Sequence, residues 1–266
     1  MRIAGATVVL TGASGGLGQA IARDLHARGA TLLLIGRRAE LLDGLADELE
    51  RATPIVADLS EPTAVEELSV HGNVGEADIL IANAGIPAAG VLQSFTVEEI
   101  DRTLDVNLRS AIVLARGLLP AMLDRGRGHL LFVSSISGKT VVPGDSLYHA
   151  TKYGLRGFAA GLRADLHGTG VGVSCVFPGF IREAGIFADS NVKIPPGIGT
   201  RSPNDVARAV ARAIERNLGE IEVASVPQRA GVLLGGLAPE LSARVVRLLG
   251  GRQIAQEMGE SLRDKR

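Results

Sequence analysis

Short apolar runs rich in β-branched residues recur along the chain at 6–10, 31–35, 53–57, 79–82, 129–133, 171–177 and 220–224. Their hydrophobicity is continuous rather than alternating, as in strands covered on both faces of a parallel sheet. Between them, residues 19–28, 39–51, 97–125, 147–167 and 203–217 carry apolar side chains at helical spacing. Strand and helix therefore alternate, which predicts a doubly wound α/β architecture with helices on both faces of the sheet. No linker, repeat or compositional break interrupts the alternation, so one domain is expected, its main body over 1–225 and a helical extension over 226–266. Residues 179–203, which include Gly185, Pro195, Pro196, Gly197, Gly199 and Pro203, are too long for an ordinary connection and read as a substrate loop. The extension places Leu237, Leu241, Val245, Leu248 and Leu249 on an apolar helix face that could cap the fold, pair subunits or shape a substrate mouth.

Composition narrows the possibilities. The chain of 266 residues is 46% hydrophobic and 21% charged, so it has the apolar surface for a large core. Lys and Arg number 28 against 29 acidic residues, a net charge of −1 that supplies no field for nucleic acid or an anionic surface. Glycine is in excess, 34 of 266 or about 13% against a usual ~7%, which signals close backbone approach. The single cysteine, Cys175, makes no intramolecular disulfide and reads as a small core residue of a cytoplasmic protein. The N-terminus has no export signal, and the apolar stretch 231–241 is broken by Pro239 and Glu240, with Arg244 beyond, so no membrane span is expected. His26, His71, His129, His149 and His167 are scattered, which argues against a metal site. His149, beside Tyr148 and so on another helix face, is assigned to the surface or a subunit contact.

Chemistry concentrates at strand ends. The first strand runs into Thr11-Gly12-Ala13-Ser14-Gly15-Gly16-Leu17-Gly18 just before a helix, where glycines let the backbone approach a pyrophosphate and helix N–H groups meet its charge. Tyr148 and Lys152, four residues apart, lie on one face of a helix, where an ammonium favours the phenolate and brings the tyrosine closer to neutrality. Ser135 ends a strand at the carboxyl edge, where open α/β sheets bind ligands and its hydroxyl can hold a carbonyl oxygen. After the second strand stands Leu34-Ile35-Gly36-Arg37-Arg38, with two guanidiniums and no acid. Arginines there suit a 2′-phosphate.

The glycine spacing at Gly12, Gly16 and Gly18, followed by Asp58-Leu59, Asn83-Ala84-Gly85, Asn107, Ser135, Tyr148-x-x-x-Lys152 and Pro178-Gly179, resembles the short-chain dehydrogenase/reductase family over about residues 4–225. The resemblance implies a Rossmann-type fold and an NADP(H)-dependent reductase of a ketone or aldehyde. Tyr148 would be the general acid, Ser135 the substrate-orienting group, Lys152 the ligand of the nicotinamide ribose, and Asn107 the support of a water relay. Cofactor contacts are expected from Gly12, Ser14, Gly16, Leu17, Gly18, Arg37, Arg38, Asp58, Leu59, Asn83, Ala84, Gly85, Tyr148, Lys152, Pro178, Gly179 and Ile181. Arg37 is the leading phosphate ligand, with Arg38 stacking on adenine. Val91, Val141, Val142, Ile186, Phe187 and Ile194 suggest a hydrophobic carbonyl substrate. Glu183 stands where relatives carry a threonine that contacts the nicotinamide carboxamide, so that contact must differ here. Family members often pair through the helices corresponding to 97–125 and 147–167, which implies a homodimer or homotetramer. An NADP(H)-binding redox sensor without turnover and an NAD-dependent alcohol dehydrogenase are the competing functions.

Overall fold

The computed structural model describes residues 1–190, 192, 197–238, 240, 241, 244, 257 and 259–263. Ile194, Pro195 and Pro196 of the substrate loop, and Val245, Leu248 and Leu249 of the extension, lie outside the described residues. Among the described residues the strands are β1 (Thr7–Thr11), β2 (Thr31–Gly36), β3 (Ala52–Val56), β4 (Ile79–Ala82), β5 (Gly128–Val133), β6 (Val171–Pro178) and β7 (Glu220–Val223). They form one parallel sheet in the order β3-β2-β1-β4-β5-β6-β7, each within a residue or so of its apolar run. The order reverses beside β1, between β1 and β4, which opens a crevice at the carboxyl ends of those strands.

Helices cover both faces, as the continuous hydrophobicity of the strands requires. On one side α1 (Gly16–Ala27), α2 (Ala39–Glu48) and α9 (Pro203–Arg216) pack Ile21, Leu25, Leu42, Val210 and Ile214 against Val8, Leu10, Leu32 and Leu34. On the other, α3 (Pro62–Val70), α4 (Gly72–Gly75), α6 (Ser110–Asp124) and α7 (Ser146–Asp165) bring Val65, Val74, Leu114, Leu118 and Leu155 onto Val9, Leu80, Leu130 and Phe132. Each such large aliphatic side chain contributes about 1.5–3 kcal/mol by leaving water. The long apolar segment 97–124 would suit a bilayer by length and composition, yet Ala111, Leu114, Ala115, Leu118 and Met122 are buried in this second core.

Helix ends follow local chemistry. Thr96 and Ser202 each complete a capping box, with Glu99 and Asp205, ahead of α5 (Val97–Leu104) and α9, and Pro203 occupies the first turn of α9. α1 begins three residues before the periodic pattern suggests, because the glycine turn itself winds into the helix. The expected single helix over 97–125 is instead α5, a π turn at Asp105–Arg109, and α6. Beyond the sheet lie the short α8 (Ile186–Ser190) and α10 (Val226–Leu237), with Leu237 and Leu241 largely exposed.

Candidate active site

The carboxyl end of β1 organises the crevice. Thr11 Oγ1 accepts the N–H groups of both Asn83 and Ala84 at 3.0 Å, while Asn83 Nδ2 donates to the Thr11 carbonyl at 3.0 Å. The Asn83-Ala84-Gly85 segment after β4 is thereby pinned against the glycine turn. Nothing in the spacing marks Thr11 for this role beyond its place as the last residue of the strand.

The turn is built for close approach. Gly12 has φ +67°, and a Cβ there would lie 2.9 Å from Ala84 Cα. A Cβ on Gly16 would meet Ala184 Cβ at 2.6 Å, and one on Gly18 would run into the Gly12 carbonyl. Leu17 packs against the α1 side of the core, and α1 starts with neither a side-chain cap nor an acid in its first turn. Its leading N–H groups thus remain available to an anion. This cradle fits a dinucleotide pyrophosphate.

Arg37 and Asp58 meet at the ends of β2 and β3, with Nη1 3.7 Å from Oδ2. Asp58 Oδ1 accepts the Ser60 N–H at 2.9 Å and its hydroxyl at 2.8 Å. Burial opposes ionisation of Asp58, but the Ser60 bonds and the Arg37 and Arg102 charges outweigh it and hold the carboxyl below its usual range. Leu59 is buried. Arg38 folds back, Nη2 donating to the Ser14 carbonyl at 2.6 Å, and the Ser14 side chain lies close to Gly36. The guanidinium expected to stack thus also fastens the glycine turn.

The proposed proton-handling groups converge from β5, the π turn and α7. Ser135 caps the 3-10 turn Ile136–Gly138, accepting the Ser137 N–H at 3.1 Å and donating to the Pro178 carbonyl at 3.5 Å, with the Tyr148 phenol beside it. Lys152, one turn along α7, sets Nζ 5.5 Å from the centre of the Tyr148 ring and donates to the Val133 carbonyl at 3.3 Å. Burial lowers the Lys152 ammonium to about 8. The Tyr148 phenol moves opposite to expectation: burial, then the nearby Asp145 carboxylate, push it well above its usual range, against a downward pull from the Ser135 hydroxyl. Desolvation and the Asp145 charge act together and outweigh the Ser135 hydroxyl, so Tyr148 is held as the proton-bearing phenol.

Asn107 occupies the π turn, almost wholly buried, its Oδ1 accepting the Ile86 N–H at 2.7 Å and its Nδ2 donating to the Ile86 carbonyl at 3.0 Å. A Cβ on Gly85 would lie 3.4 Å from Asn107 Oδ1 and 3.5 Å from Lys152 Nζ, so these three positions adjoin. Both polar atoms of the Asn107 side chain serve the Ile86 peptide. His149 departs from the surface placement its helix position suggests. It is buried, accepting the Val142 N–H on Nε2 at 2.9 Å while Nδ1 pairs with the Ser137 carbonyl at 2.7 Å, and so ties the segment before α7 to the helix bearing Tyr148.

Pro178 ends β6, and the Gly179 N–H donates to the Val223 carbonyl at 3.0 Å. Ile181 is buried and bridges Arg201. Glu183 is exposed at φ +71° and pairs with Arg182 at 2.9 Å. Phe180 and Phe187 lie 4.7 Å apart between ring centres, and Val91 and Val141 are substantially exposed. Cys175 is buried as expected of a core residue, and burial pushes its thiol to about 12.

Comparison with known proteins returns one family throughout. The sequence profile of the short chain dehydrogenase family matches residues 6–193. The ketoacyl reductase HetN of Nostoc sp. is 33% identical over 270 residues, covering 97% of this chain and 94% of that protein. A short-chain dehydrogenase from Sphingobium yanoikuyae, solved in complex with NADPH, superposes with a TM-score of 0.76 at 27% identity over 89% of this chain and 95% of that one. A metagenomic short-chain oxidoreductase in complex with NADP gives a TM-score of 0.71 at 31% identity over 84% of this chain and 98% of that one.

Proposed function

This chain belongs to the short-chain dehydrogenase/reductase family of oxidoreductases, and from that premise we propose that it reduces a ketone or aldehyde with NADPH. The observation that carries the reading is the convergence of Ser135, Tyr148 and Lys152, two neighbouring hydroxyls with a buried ammonium one helical turn from the phenol. The cofactor, when bound, supplies a hydride to the carbonyl carbon. Ser135 holds the carbonyl oxygen, and Tyr148, kept as a phenol by its surroundings, delivers the proton to that oxygen. Lys152 and the neighbourhood of Asn107 then restore the Tyr148 proton. Arg37, exposed beside Asp58, takes the 2′-phosphate, and Arg38 and Ser14 close that corner. In support of NADPH, the Sphingobium relative was solved with that cofactor.

The substrate is apolar, in keeping with exposed Val91 and Val141 at the mouth and with the ketoacyl reductase name of the Nostoc relative. Copies of the chain pair through α6 and α7, whose outer faces leave an apolar groove of about 440 Å³ lined by Ile112, Leu119, Leu123, Phe158 and Leu162.

The test is NADPH oxidation with a long-chain 3-oxoacyl thioester. Wild type turns over, and Tyr148→Phe loses roughly 10²–10⁴ in kcat with NADPH binding unchanged. Arg37→Ala loses the preference for NADPH over NADH. Equal turnover by Tyr148→Phe would overturn the mechanism, and NADPH binding without turnover on any carbonyl would favour a sensor.

A further inference from the structure

Three segments leave the sheet at the carboxyl edge that carries the site and bound its mouth: residues 86–91 after β4, 139–145 between β5 and α7, and 180–190 after β6. The first two are joined where the Gly90 N–H donates to the Gly144 carbonyl at 2.7 Å. The third is braced internally, Ser190 Oγ donating to the Phe187 carbonyl at 2.7 Å. The end of the chain reaches across from one side to the other. Ser261 Oγ donates to the Ser190 carbonyl at 2.7 Å. Gly259 is buried against the first segment, so closely that a Cβ would lie 2.8 Å from the Ala89 carbonyl oxygen and 3.1 Å from Gly90 Cα. Leu262 is 1% exposed, the burial of a core residue only four positions from the terminus. Residue 259 thus sits on one wall of the mouth and residue 261 on the other.

We propose that residues 259–262 are a clasp that holds the 86–91 and 180–190 walls at a set separation, making Gly259, Ser261 and Leu262 positioning residues for the carbonyl substrate. They act through the walls, and none of them joins the proton-handling groups. A glycine is needed at 259 because the tail lies directly on the Ala89 peptide, and the Ser261 hydroxyl reaches a carbonyl rather than another side chain. The apolar anchor at Leu262 keeps the short segment seated, since one hydrogen bond contributes only about 1 kcal/mol. Segments that bound a substrate mouth belong to the least stable parts of a fold, and a tie across them governs how firmly they close. The structural claim stands without any assignment of activity; its kinetic consequence rests on the reductase reading.

Amide hydrogen exchange on the ligand-free full chain is the primary test. It compares wild type with a variant ending at Gln256, with Gly259→Leu, which pushes the tail off Ala89, and with Ser261→Ala and Ser261→Thr. Exchange in 86–91 and 180–190 should accelerate about tenfold in the truncated and Gly259→Leu proteins, less in Ser261→Ala and not in Ser261→Thr, with β1, β4 and β5 unchanged. Unchanged exchange at both walls in either of the first two would overturn the clasp, and so would uniform acceleration across the sheet in both, which marks a merely structural role. With NADPH and a 3-oxodecanoyl N-acetylcysteamine thioester, KM for the thioester should rise about tenfold in Gly259→Leu while kcat and the NADPH KM stay within about twofold. Absence of thioester turnover in wild type would count against the reductase reading alone, because the exchange result still decides the clasp.

Discussion

Thr11 shows how much one hydroxyl can organise. It accepts two backbone N–H groups from the strand-end segment that flanks the glycine turn, and Thr11→Val removes that acceptor while keeping the shape. A fully buried unsatisfied donor costs about 1–3 kcal/mol and these two are half-buried, so urea unfolding should show a loss of roughly 1–3 kcal/mol in all; a loss under half a kcal/mol would mean that water replaces the hydroxyl. Ser135, Tyr148 and Lys152 could be read from the sequence because helical spacing turns a four-residue interval into adjacency and a strand end marks the carboxyl edge. The direction of the Tyr148 shift could not, since it follows from how much of the phenol is taken out of water by segments distant in the chain. His149 was misplaced for a related reason. Helix phase says which way a residue points, while what lies there, in this case the Ser137 carbonyl and the Val142 N–H, is supplied by a loop.

Among the elements, the strands were legible to within a residue or so because parallel strands buried on both faces need continuous apolar runs. The π turn at Asp105–Arg109 was not, for no glycine or proline marks it. It coincides with the point at which Asn107 pairs with both polar groups of the Ile86 peptide, a contact between residues 21 apart. Asn107→Ala would strand a buried N–H and C=O together. The expected result is a stability loss of about 2–3 kcal/mol with faster amide exchange at residue 86, and an unchanged unfolding midpoint would detach the π turn from that pairing. α3 and α4 escaped the periodicity reading because they are short, whereas Pro62 at the start of α3 was an available signal.

At the scale of the whole molecule, the sheet buries a titratable group far from the crevice. His129, at the start of β5, is 1% exposed and bonded through Nε2 to Ser174 Oγ at 2.9 Å, and burial drives its imidazole down to about 3. An ordinary histidine titrates near 6.5, so between about 6.5 and 3 the unfolded chain binds a proton that the folded chain refuses. Stability from this group is therefore complete above about pH 6.5 and lost as the pH falls toward 3. Between pH 7 and 5 the wild type should lose about 2 kcal/mol more than His129→Asn in urea unfolding; parallel losses would show that the ring is hydrated in the folded state. The edge strand β7 is fastened by charge as well as by the ladder, Lys139 Nζ lying 2.6 Å from Glu220 and 2.8 Å from Glu222 beside the Phe177 ring.

The alternation of strand and helix, the parallel sheet, the glycine turn and the placing of Ser135, Tyr148 and Lys152 at one edge were all legible in the order of the residues. Each depends on periodicity or on spacings of a few residues, which local backbone geometry converts directly into position. Folding in three dimensions settled that Thr11 holds Asn83 and Ala84, that Asn107 serves Ile86, that burial keeps Tyr148 protonated, and that residues 259–262 lie across the mouth. Those outcomes join groups up to 170 residues apart, as at Ala89 and Gly259, and no local pattern encodes them. They depend on which polar groups and cavities remain once the two cores have closed on the sheet.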